Sequence, residues 1–188
     1  MPPPTDVITV FLPNLAPSAR PLRFVRIPAG SYQMGNTGDP RDHDCGCTGC
    51  VCELPRHEVV IPHDFYLGET EVTQAQWHAV MDIDANLDFC EGNDLPMSGI
   101  SWNQITEPEG FLANLDPHHA GSFRLPSESE WEYACRGPDT NAFRYEPYSF
   151  GFDPAAESRC QFGPLADGYM WWCGNNTPSG PKIVASKT

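Results

Sequence analysis

Positive charge is scarce in this chain, where 11 Lys and Arg stand against 25 Asp and Glu for a formal net charge of −14 over 188 residues. Counterion release from phosphate backbones needs basic residues in excess, so the balance disfavours nucleic acid and anionic headgroups as partners. Long apolar runs are missing too. The longest near the start, residues 7–12, falls far short of the roughly 20 needed to cross a bilayer, and no basic residue precedes it to open a secretory signal. No membrane span and no signal peptide are read. Nucleophile-elbow, phosphate-loop and dinucleotide-binding patterns are also lacking, which leaves hydrolase and nucleotide chemistry little support.

What is present argues for one folded domain. Hydrophobic residues make up 40% of the chain and include 5 Trp, 10 Phe and 6 Tyr, enough apolar surface to offset chain entropy. The 20 Pro and 16 Gly favour turns and long ordered loops over a helix bundle. Eight Cys favour an extracytoplasmic, oxidising compartment, although no export signal accompanies them.

Residues 1–22 read as a proline-rich extended leader and residues 23–188 as the domain. Residues 24–28 alternate like a strand. The turn Ala29-Gly30-Ser31 then leads into residues 32–35, which predicts a β-hairpin. A polar, Cys-rich loop follows at residues 36–55, and residues 58–62 and 65–68 return as strand material. Three helix starts carry a Ser or Thr cap with Glu or Gln three residues on: Thr73 with Gln76, Ser101 with Gln104, and Ser127 with Glu130. The first helix should bury Trp77, Val80 and Met81. The second should break at Pro108 and resume through Phe111, Leu112 and Leu115, and the third should bury Trp131, Ala134 and Cys135. From residue 138 onward little periodicity remains. Short strands, about three short helices and much loop give an α+β class.

Taken in order, these segments resemble the formylglycine-generating enzyme and sulfatase-modifying factor family. The stretches FVRIPAGSYQMG at 24–35, ELPRHEV at 53–59, FYLGETEVTQAQW at 65–77 and PMSGISW at 96–102 are similar to successive family motifs. RLPSESEWEYACRG at 124–137 is the most specific, and YMWWCGNNTPSGPKIVASK at 169–187 resembles the segment that precedes the family's core strands. The resemblance implies an irregular C-type-lectin-like fold of which this chain covers the N-terminal two thirds. It also implies calcium held by side-chain and backbone oxygens and, in formylglycine generators, a copper-binding cysteine pair on a segment beyond Thr188. The expectation is a non-catalytic binding or structural module, completed by a protein partner or by the remaining C-terminal segment. The alternative is part of a copper- and oxygen-dependent oxidase acting on sulfatase cysteines.

The densest chemistry lies in the loop insertion, where Cys45, Cys47, Cys50 and Cys52 could wrap a soft metal such as zinc, with Asp42, His43, Asp44 and His57 nearby. Four ligands within eight residues are cramped for one tetrahedral ion. Disulfides are the preferred reading, with free thiols the third, since Cys90, Cys135, Cys160 and Cys173 bring the total to an even eight that could form up to four bridges. His118 and His119 read as exposed loop residues, and His57 and His63 as structural ones. Glu128, Glu130 and Glu132 fit the start of a helix, where negative charge meets the helix dipole. Asp153, Asp167, Asn175 and Asn176 lie in the irregular tail, where the resemblance implies oxygens that bind calcium. Trp171 and Trp172 could stack on a ligand, with core packing the preferred reading.

Overall fold

The structure is a computed structural model that describes residues 6–35, 54–83, 90–118, 121–136 and 162–187. The chain divides into two compact units, each assembled from separated segments.

The first unit comprises Met1–Arg26, Tyr66–Leu125 and Ser179–Ser186. Here β1 (Val7–Val10) runs antiparallel to β2 (Leu22–Ile27), from Val7 opposite Val25 to Val10 opposite Leu22. Strand β5 (Phe65–Gly68) completes the order β1-β2-β5. Within the expected leader, the β-branched run Val7–Val10 therefore pairs as a strand, and Val10 and Leu12 sit in the core.

Helix α1 (Gln74–Met81) starts as the capping pattern requires: Gln76 N–H donates to Thr73 Oγ1, and Thr73 N–H donates to Gln76 Oε1. Gln76 is 1% exposed, so its amide must be satisfied internally, and its Nε2 donates to the carbonyl of Arg20. Gln74 does the same for another loop, accepting from Gly92 N–H and donating to the carbonyl of Cys90. The helix stops at Asp82, which is left-handed with φ 52°.

Helices α2 (Trp102–Thr106) and α3 (Phe111–Leu115) flank Pro108, as its missing N–H predicts. Phe111 stacks on Trp77 with centroids 4.9 Å apart and planes 8° from parallel. Both rings are buried with Val10, Leu12, Leu22, Ala79 and Leu115. Burying side chains of this size contributes about 2–3 kcal/mol each, so this cluster supplies much of the unit's stability.

The second unit comprises Ile27–Phe65, Pro126–Pro178 and Lys187–Thr188. Strand β3 (Gly30–Met34) pairs antiparallel with β4 (His57–Ile61), with Gly30 opposite Ile61 and Met34 opposite His57. The hairpin expected between residues 24–28 and 32–35 does not form. Ala29 N–H donates to Asp64 Oδ1 at 2.8 Å, and each strand finds a distant partner that offers a full register.

Helix α4 (Glu128–Arg136) begins with the reciprocal pair Ser127 and Glu130. Its buried face departs from the sequence expectation. Trp131 is 60% exposed and Cys135 is exposed, whereas Tyr133 is fully buried against Tyr32 and Ile61. Tyr133 takes the interior, where its hydroxyl donates to the carbonyl of Pro28 at 3.1 Å. The rings of Tyr32 and Tyr133 tilt together at 5.3 Å, and Tyr32 donates to the carbonyl of Ser129. A short helix α5 (Ala166–Tyr169) lies in the tail, anchored by fully buried Ala166. The described architecture is α+β, with short strands, short helices and much ordered loop.

Candidate functional site

The tail of the second unit gathers the polar side chains best placed for binding. Trp172 Nε1 donates to Asp167 Oδ1 at 2.9 Å, and Asn175 Nδ2 donates to the same oxygen at 2.8 Å. Asn175 closes the turn on itself: its Oδ1 accepts from Trp172 N–H and its Nδ2 also reaches the carbonyl of Met170. The hydrogen bonds from Trp172 and Asn175 to the charged form hold the Asp167 carboxyl below its usual range, with Lys187 assisting. Lys187 Nζ donates to the backbone carbonyl of Asp167 and lies over the Trp171 ring, 3.9 Å from its centroid. Phe162 meets Trp172 edge-on at 5.4 Å. Trp172 is thus fixed by packing and by its indole N–H, while Trp171 remains 42% exposed.

One atom stands out from this satisfied network. Asn176 Oδ1 is buried without a hydrogen-bond partner. A carbonyl-type oxygen in that state calls for a donor or a hard cation.

The remaining sequence-predicted residues fall into distinct groups. Asp42, His43, Asp44, Cys45, Cys47, Cys50, Cys52, His119, Asp153 and Cys160 lie outside the described residues. Cys90 and Cys135 are free thiols, and Cys173 is disulfide-bonded. His57 and His63 are exposed, and His57 Nδ1 lies 3.0 Å from the carbonyl of Pro55. Glu130 caps α4. Glu132 accepts from Gly35 N–H and pairs with Arg136 at 2.7 Å, a structural role for each carboxylate. Among the described residues, no three His, Cys, Asp or Glu side chains converge as a metal-binding group. No helix among them is long and apolar enough to cross a membrane.

Sequence reasoning named Asp167, Asn175 and Trp172 but not the hydrogen bonds that join them in one hub, and it missed the paired tyrosines. Burial, with help from Glu132, pushes the Tyr32 hydroxyl up to about 12, and burial likewise raises Tyr133. Both hydroxyls therefore serve as neutral donors to backbone carbonyls. The hub's only signal was Asn175 three residues after Trp172, a turn-former beside a ring that carries a donor.

Comparison with known proteins adds what the described geometry does not supply. The formylglycine-generating enzyme of Mus musculus is 27% identical over 170 residues, covering 66% of this chain and 43% of that protein. The enzyme of Bos taurus matches to the same extent. Chaperone protein LppX of Paenibacillus barcinonensis is 29% identical over 104 residues, 39% of this chain and 36% of that protein. The chain spans less than half the length of each of these curated relatives. No solved structure matches it. Residues 12–173 match the profile of the sulfatase-modifying factor enzyme 1-like domain, and the chain belongs to that family.

Proposed function

We propose that this chain is a non-catalytic binding or structural module with a C-type-lectin-like version of the formylglycine-generating-enzyme fold, working as part of a larger chain or assembly. The observation that carries the reading is the outer face of α4. Trp131 is 60% exposed there although the opposite side of the helix is anchored by fully buried Tyr133. An indole left in water on an ordered helix forgoes a large apolar burial, and polypeptide that covers it recovers that energy. The covering element is a protein partner or a further C-terminal segment of the same domain.

The similarity to the mouse and bovine formylglycine-generating enzymes favours a second reading. In it the chain is part of a copper- and oxygen-dependent oxidase that converts a sulfatase cysteine to an aldehyde. The copper ligands would then be a cysteine pair on that further segment, and the residues described here would support the fold around them.

Either reading leaves the same roles to this chain's own side chains. Asn176 Oδ1 and the Asp167 carboxylate would offer oxygens to calcium. Cys45, Cys47, Cys50 and Cys52 would be secured by disulfides in preference to zinc, in keeping with an extracytoplasmic protein. Copper titration of the complete polypeptide, with oxygen-dependent turnover of a Cys-containing sulfatase peptide as readout, separates the two readings. No turnover is the outcome expected of the module, and turnover that rises with bound copper hands the chain to the oxidase.

A further inference from the structure

We draw no further inference here: the strongest candidate, the outward stripe of helix α4 carrying Glu128, Trp131 and Cys135, is the face already assigned to the proposed docking role, and nothing in the structure shows what covers it.

Discussion

Substituting Gly30 tests the packing of the second unit through a pair of coupled changes. A Cβ added at Gly30 would sit 2.4 Å from the Tyr133 hydroxyl oxygen but 3.4 Å from the ring carbon that bears it. The obstruction is therefore one oxygen atom. Gly30 has no positive φ that would penalise alanine, so strain at this position comes from that contact alone. Gly30→Ala should cost about 1–3 kcal/mol by overpacking. Tyr133→Phe removes the hydroxyl that donates to the Pro28 carbonyl, at a cost of about 1 kcal/mol. In the double variant the clash is gone, because the next atom lies at ordinary contact distance. The combined loss should then fall short of the sum by about 1–2 kcal/mol, inside the range measured for touching residues. Urea denaturation of the four proteins at constant m reads this directly. Additivity within about 0.5 kcal/mol would refute the claim that one hydroxyl governs the contact.

Other perturbations probe the rest of the molecule. Phe111→Ala opens the stack on Trp77 and should lower stability by about 3–5 kcal/mol, seen as a lower denaturation midpoint; a loss under about 1 kcal/mol would contradict a packed ring. Thr73→Ala should cost about 1 kcal/mol, since the cap of α1 and its reciprocal partner Gln76 are both buried. The raised Tyr32 pKa means the folded state keeps its proton longer than the unfolded chain. Stability should therefore fall as pH rises from 10.0 towards about 12, and Tyr32→Phe should flatten that slope. Asp167 has the opposite sign. Its depressed pKa stabilises above the unfolded value of 3.8 and is lost as pH falls through the folded one, so Asp167→Asn should remove an acid-range change in tryptophan emission. Calcium should raise the melting temperature of the native protein and lose that effect in Asn176→Ala; an unchanged melting curve in calcium would remove the ion from the account.

Features encoded within a few residues were legible in the sequence. Thr73, Ser101 and Ser127 mark helix starts because a cap and its partner lie three residues apart, and Pro108 separates two helices because its ring removes a donor. Features decided at long range were not. The Ala29-Gly30-Ser31 turn suggests a hairpin locally, yet β3 pairs with β4 and leaves β2 to β1 and β5. Periodicity on α4 marks Trp131 and Cys135 as an apolar stripe, but Tyr133 takes the interior, against Tyr32 and the Pro28 carbonyl. The Asp167 hub depends on a turn that folds Trp172 and Asn175 back onto α5, and no hydrophobic pattern announces such a turn. The four cysteines of the insertion are the most prominent motif in the sequence, and they lie outside the described residues.

Native mass spectrometry of the protein isolated from its own cells tests the central claim most directly. The account predicts a species heavier than 20.8 kDa, with the outer face of α4 shielded from solvent and Trp131 resistant to oxidative labelling. A monodisperse monomer of 20.8 kDa, with Trp131 freely labelled, would contradict it.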